Sequence, residues 1–444
     1  MVEKSINAGV VMLGRPQFDI ALAQKHYQEA LKNLNQQGIN TFAVEEPITF
    51  AEEINIALTK IGDLHNLQAM VVFQGTFADA SMILTLRENI DLPMVIWAVK
   101  EQPTGERLRL NSLCGLNLAA NALVAGKKQF KAVYGDIAAP ATIREVVAFL
   151  RAAAAKVWLK GKKIGIIGNR PGGFYASNFN EVDLYSKFGI KIDYISLNKV
   201  FNMATRIDAR QVKEKIESLD GLSSRSPEEV NKSLQAYQAL KEIIREHRYD
   251  AVAIECWPAF MTEFGGAACY AVSQLNDDGI STACEADVNG AITMLLGQFL
   301  SGQPVFFADL VIGDDKENTL TFWHCGAAPR LLAANNFSPI AGVHPNRKMA
   351  LSVNFPLKEG EVTITRLSPG PNGQLRLLVT KGTGLQTQLL FQGNTLPVKL
   401  AQPVAQVIDK FLQKGLEHHY AIIYGNYILE LKELGKLLGL EIIE

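Results

Sequence analysis

From residue 7 onward the chain alternates short apolar runs with longer amphipathic stretches. Residues 7–14 are apolar and end in Gly14; after Arg15-Pro16 a pattern of period 3.6 runs over 20–35, predicting a strand, a turn and a helix. The same pairing recurs. Residues 41–44 predict a strand, 51–67 a helix, 69–73 and 93–99 two more strands, and 141–158 a helix opened by Pro140, where a missing N–H costs nothing. Strands alternating with helices at this spacing predict a parallel sheet with helices on its faces.

A second block follows Lys160-Gly161-Lys162-Lys163. It carries strands at 164–168, 190–195 and 249–255, helices at 209–219, 227–246 (Ser226 as N-cap) and 266–279, and a last strand running into Glu285. The loop Asn169-Arg170-Pro171-Gly172-Gly173-Phe174-Tyr175 follows a strand, but its glycines match neither nucleotide-binding pattern. After Arg330 the texture changes. Segments 361–367, 375–381 and 387–391 alternate in polarity between Pro-Gly-Pro-Asn-Gly, Gly-Thr-Gly and Gly-Asn turns, which predicts antiparallel strands in a small sheet or barrel. From about Gln402 helices flank His418-His419. The fold class is therefore α/β: two Rossmann-like βα domains with parallel sheets, 1–160 and 161–332, then a smaller β-rich, barrel-like C-terminal domain with terminal helices, 333–444.

Composition narrows the class. The 444 residues are 48% hydrophobic and 20% charged with net charge −1, which supplies no basic excess for nucleic acid. No signal-type apolar region opens the chain, and no apolar run reaches the roughly 18 residues of a membrane span, so the expectation is a soluble cytoplasmic protein without a membrane partner. The five cysteines (Cys114, Cys256, Cys269, Cys284, Cys325) lack C-x-x-C spacing and read as small buried apolar residues.

The candidate chemistry lies in Ala283-Cys284-Glu285-Ala286-Asp287-Val288-Asn289-Gly290, Phe306-Phe307-Ala308-Asp309 and Trp323-His324. Glu285 and Asp309 interrupt strongly apolar contexts, where an unpaired charge is costly. As ends of neighbouring parallel strands, Glu285, Asp309 and His324 would converge on one crevice, and carboxylates with an imidazole suit a divalent metal such as manganese, with zinc or magnesium less favoured. Asp287 reads as a helix cap and His418-His419 as a histidine pair at a turn. Residues at or just beyond other strand ends, Arg15, Gln74, Trp97, Arg107, Arg109 and Trp257, are candidate substrate-facing groups.

Taken together, Cys-Glu-Ala-Asp-Val-Asn-Gly-Ala, Phe-Ala-Asp, Trp-His-Cys and His-His-Tyr, in this order on this layout, resemble the L-fucose isomerase and L-arabinose isomerase superfamily. The resemblance implies a cytoplasmic, metal-dependent aldose-ketose isomerase working through a cis-enediol, with Mn2+ (or Mg2+, Co2+ or Zn2+) held by Glu285, Asp309, His419 and His324. Glu285 and Asp309 would also be catalytic. It further implies a homotrimer or hexamer in which a neighbour's N-terminal domain helps cover the site, so that Trp97, Arg107 or Arg109 reach the sugar. Arginines suit an oxyanion because the guanidinium fork binds it bidentately, so an anionic sugar, sulfoquinovose or a sugar phosphate, is an alternative substrate. A non-catalytic sugar-binding protein is the alternative of another class.

Overall fold

The computed structural model describes residues 5–444 apart from 211–215 and 218, and it divides into two compact units. One contains the chain up to Trp158 together with Leu429–Gly439; the other contains Leu159–Ile428 and Leu440–Glu444. The helix predicted over 209–219 lies largely outside the described residues.

The first unit is built on a parallel sheet of β1 (Ile6–Leu13), β2 (Ile39–Ala43), β3 (Ala69–Gln74), β4 (Met94–Ala98) and β5 (Lys131–Tyr134), in the order β2-β1-β3-β4-β5. All residues of β3 and β4 are buried, as central strands covered on both faces require. Strand β5 escaped the sequence reading because only Val133 of its Lys-Ala-Val-Tyr is buried. The helix predicted over 51–67 is shorter, Ile54–Ile61 between two 3₁₀ turns, and it stops at Gly62, whose φ of +91° strongly favours glycine. Most of the helix Ile428–Leu438 belongs to this unit, where Lys131 Nζ lies 3.2 Å from Glu433 and Lys156 Nζ donates to the Leu437 carbonyl at 3.0 Å.

The second unit opens with another parallel sheet, β6 (Lys163–Ile167), β7 (Lys191–Ile195), β8 (Ala251–Ile254) and β9 (Ser281–Ala283), ordered β7-β6-β8-β9. Ser226 does cap the helix Pro227–His247, its hydroxyl accepting from Glu229 N at 3.4 Å. The chain then passes into β10 (Phe306–Asp314), β11 (Thr319–His324), β12 (Ile340–Val343), β13 (Ala350–Pro356), β14 (Gly360–Pro369), β15 (Leu375–Gly384), β16 (Asn394–Leu400), β17 (His419–Tyr424) and β18 (Glu441–Ile443). Six of these close on themselves by antiparallel pairing, β16-β11-β10-β17-β14-β15 and back to β16, forming a barrel. Closure removes the exposed edges a small sheet would otherwise carry. The strand predicted at 387–391 is irregular; the Gly-Asn at 393–394 opens the true strand instead of ending one. Likewise β10 and β11 are antiparallel barrel strands and do not extend the parallel sheet.

Barrel residues Leu320, Phe322, Ile364, Leu396 and Ile422 share one core with Val252, Ile254 and Tyr270 of the parallel half. Between the two runs the helix Val288–Ser301, whose residues 288–297 are all buried and which contacts β8, β9, β14 and β17. Among the described residues no helix is long and apolar enough to cross a membrane.

That helix passes so close to the barrel that a Cβ on Gly297 would lie 2.8 Å from both Ile423 Cγ1 and Val305 Cγ2. Gly297→Val should therefore destabilise the protein by about 1–3 kcal/mol through overpacking. Urea unfolding reads this as a lowered midpoint at constant slope; an unchanged midpoint would show that the helix can shift away.

Candidate active site

Strand β9 ends at Ala283, and the chain turns sharply on two non-glycine residues in the left-handed region, Glu285 (φ 59°) and Ala286 (φ 52°). Each such position costs on the order of 1–3 kcal/mol and persists only where the surroundings enforce it. After the turn Asp287 caps the helix Val288–Ser301, accepting from Gly290 N at 2.7 Å. Asp309 sits inside β10, directly opposite His419 of β17 and Trp323 of β11. Barrel register therefore brings the second acid to the site, and the parallel strand ends expected from the sequence do not.

The groups meet closely. His418 Nε2 donates to Glu285 Oε2 at 3.0 Å, and Trp257 Nε1 donates to Glu285 Oε1 at 2.9 Å. His419 Nε2 lies 3.8 Å from Glu285 Oε2 and 3.5 Å from Asp309 Oδ1, with His418 Nε2 3.9 Å from the same Asp309 oxygen. That Asp309 oxygen is buried and has no hydrogen-bond partner among the described residues. Burial works to raise the pKa of Glu285, but His418, His419 and the Trp257 N–H outweigh it and hold the carboxyl below its usual range. For His418 burial works in the opposite direction, and its bond to Glu285 with the charge of Asp309 keeps it above the usual imidazole value. Phe174 closes one side, 5.1 Å from Trp257 and 5.8 Å from His418 between ring centroids.

Beneath this surface lies a fully buried ionic cluster. Arg366 of β14, with no exposed area, donates to both Asp287 oxygens (Nη1 at 2.7 Å, Nη2 at 3.1 Å) and through Nε to Glu417 at 3.3 Å. His419 Nδ1 lies 3.2 Å from Asp287 Oδ2. Burial alone would raise the Asp287 pKa, yet Arg366 and His419 hold it far below the ordinary carboxylate range. An ionised carboxylate only accepts, so His419 Nδ1 donates to Asp287 and the ring's other nitrogen, Nε2, faces Glu285 and Asp309.

Residues 9–159 match the model of the fucose/sulfoquinovose isomerase N-terminal domain, and residues 322–444 that of the L-fucose isomerase C-terminal domain. The sulfoquinovose isomerase of Priestia aryabhattai is 35% identical over 437 residues, 97% of each chain. Those of Alkalicoccus urumqiensis (34%, covering 84% of this chain and 85% of its own) and Clostridium sp. strain MSTE9 (31%, 97% of each) are similar too. The chain belongs to the fucose isomerase superfamily. It is an aldose-ketose isomerase, an intramolecular oxidoreductase acting on a sugar.

Within this isomerase, Glu285, Asp309 and His419 are brought together as the sequence predicts, and Trp257 joins them through Glu285. His324 lies behind: its ring is 6.2 Å from that of His419, and its Nδ1 faces Cys325 Sγ at 3.4 Å. The position nearest Glu285 is taken by His418, which the reading of the pair had not singled out. Arg366 and Glu417 were also missed, since an arginine in an alternating strand ordinarily faces water. Asp287 is the expected cap and a great deal more.

The candidates in the first unit are committed elsewhere. Trp97 is wholly buried, edge-on to Phe73 at 5.9 Å, so it belongs to the core of its sheet and cannot reach a sugar. Gln74 is also buried, its amide donating to the Thr76 carbonyl at 2.8 Å. Arg15 is paired with Asp79, and Arg109 grips Asp19 through Nε and Nη2 at 3.0 and 2.6 Å. Arg107 is exposed, its guanidinium 3.5 Å from the Gln17 carbonyl. The cysteines bring another correction. Cys256 and Cys284 form a disulfide, because the adjacent strands β8 and β9 end side by side with the two Cα atoms 5.8 Å apart.

Removing the cation from the buried cluster strands two acids. Arg366→Met should cost about 3–5 kcal/mol, the usual penalty for breaking a buried ion pair from one side. Chemical denaturation measures it. A loss below about 1 kcal/mol would mean that water reaches Asp287.

Proposed function

We propose that this isomerase interconverts sulfoquinovose, a hexose bearing a sulfonate on C6, with the corresponding ketose. The observation that carries the catalytic part is the convergence of Glu285, Asp309, His418 and His419, all within hydrogen-bonding or ion-pairing distance of a neighbour in the set. The substrate rests on the relatives, which are named sulfoquinovose isomerases, and they favour an anionic sugar over the neutral fucose or arabinose type.

The open-chain sugar would lie with C1 and C2 between Glu285 and Asp309. One carboxylate takes the proton from C2 of the aldose and delivers it to C1, while its partner moves a proton between O2 and O1. The balance closes: the aldehyde gains one hydrogen on carbon and one on oxygen, C2 and its hydroxyl lose one each, and the intermediate is a cis-enediol. Trp257 keeps Glu285 Oε1 fixed while Oε2 works next to the histidines.

A divalent cation fits the same groups. Two carboxylates and two imidazoles, one of them with its far nitrogen tied to Asp287, together with the unpartnered Asp309 oxygen, form a donor set suited to manganese, with Mg2+, Co2+ and Zn2+ as alternatives. Glu285, Asp309 and His419 would hold it, with His418 alongside. When bound, it supplies Lewis-acid polarisation of the sugar oxygens. Resemblance to the superfamily also supports a cytoplasmic homotrimer or hexamer, which sedimentation at micromolar concentration would resolve from a monomer.

The test is turnover of sulfoquinovose in deuterated water, followed by NMR, before and after chelation. Deuterium should enter at C1 or C2 of recovered sugar, and activity should fall on chelation and return with Mn2+. Glu285→Gln and Asp309→Asn should each lower kcat/KM at least about 10³-fold; near-wild-type turnover in either would sink the assignment.

A further inference from the structure

A sulfonate at C6 needs a cation well away from the reacting carbons. The arginines of the first unit nearest to strand ends do not offer a free fork, because Arg15 and Arg109 are each paired with an aspartate. Arg366 is spent on Asp287 and Glu417, and Arg170 donates through Nε to Asn178 at 2.8 Å.

Arg347 differs from all of these. It is exposed, its guanidinium lies 4.0 Å from the centre of the Trp257 ring, and it forms no ion pair with any described residue. The indole edge of the same Trp257 donates to Glu285 Oε1 at 2.9 Å. One half-buried aromatic ring therefore separates a catalytic carboxylate from an unpaired guanidinium. The guanidinium is held over the ring and makes no side-chain hydrogen bond to a described residue, so its N–H groups are open to bind an oxyanion bidentately. The adjoining backbone is also held: Asn346 N and Arg347 N both donate to the buried His344 Nδ1, at 3.3 and 3.4 Å. The fork is thus presented from a turn whose backbone is anchored.

We infer that Arg347, stacked on Trp257, binds the C6 sulfonate and selects an anionic hexose over a neutral one. This rests on the reading of the active site given above. The contact forms alike in substrate and transition state, so it acts on KM more than on kcat.

The experiment compares wild type, Arg347→Ala and Arg347→Lys with sulfoquinovose as the substrate, on the metal-loaded enzyme. In Arg347→Ala, KM should rise about 10- to 100-fold, the loss of one charge-assisted hydrogen-bonded contact, with kcat kept within about threefold. Arg347→Lys should recover part of the rise, because charge remains while the planar fork is gone. An unchanged KM in Arg347→Ala, or a fall in kcat without a change in KM, overturns the inference and leaves the isomerase reading standing; the second result would mean that Arg347 only positions Trp257 and Glu285. Absence of sulfoquinovose turnover in the wild type itself overturns the substrate reading and this inference with it.

Discussion

Everything at this site depends on one buried carboxylate. Asp287 stops the turn after β9 by capping the next helix, receives both Nη groups of Arg366 from the barrel strand β14, and accepts a hydrogen bond from Nδ1 of His419 in β17. These partners come from positions 79 and 132 residues further along the chain. Such a buried ionised group is tolerable only when every lone pair is used, and here helix, strand and imidazole share it. The parallel half and the barrel are therefore locked together at the carboxylate that also orients the His419 imidazole. Fold and chemistry are tied at one point, and the left-handed residues Glu285 and Ala286 directly precede it.

The acids were legible in the sequence because each is a charge in an apolar run. Glu285 and Asp309 stand out against Ala, Cys, Phe and Val, and the βα periodicity placed Glu285 at a strand end without needing the third dimension. Arg366 was not legible. Its strand alternates like a half-exposed one, yet residues 362–368 are all buried, since the helix Val288–Ser301 covers one side of β14 and the barrel interior the other. Period-2 alternation reports which face is apolar, and it is silent when both faces are enclosed. The histidine pair shows a related limit. His419 begins β17 and His418 precedes it, so the two side chains are not forced to opposite faces and both reach Glu285.

The strand-end rule fared differently in the first unit. It drew attention to Arg15 and Arg109, but their partners Asp79 and Asp19 lie 64 and 90 residues away in sequence and only folding reveals the pairing. Trp97 was drawn in by the same rule, although it occupies an all-buried strand where a large apolar ring belongs. A position at the end of a parallel strand is an opportunity for binding; whether the side chain takes it is decided by what packs around it.

The superfamily chemistry concerns C1 and C2, and its carboxylates and histidines have no means of sensing C6. On the proposed substrate, recognition of C6 needs a group that is held relative to Glu285 without sharing its charge. Trp257 supplies that link, because its ring edge holds the carboxylate and its face holds the Arg347 guanidinium. Edge and face are separate surfaces of one side chain, so a change of charge over the face leaves the tether on the carboxylate in place. The reacting end is held by bonding through Asp287, and Arg347 bonds to neither acid.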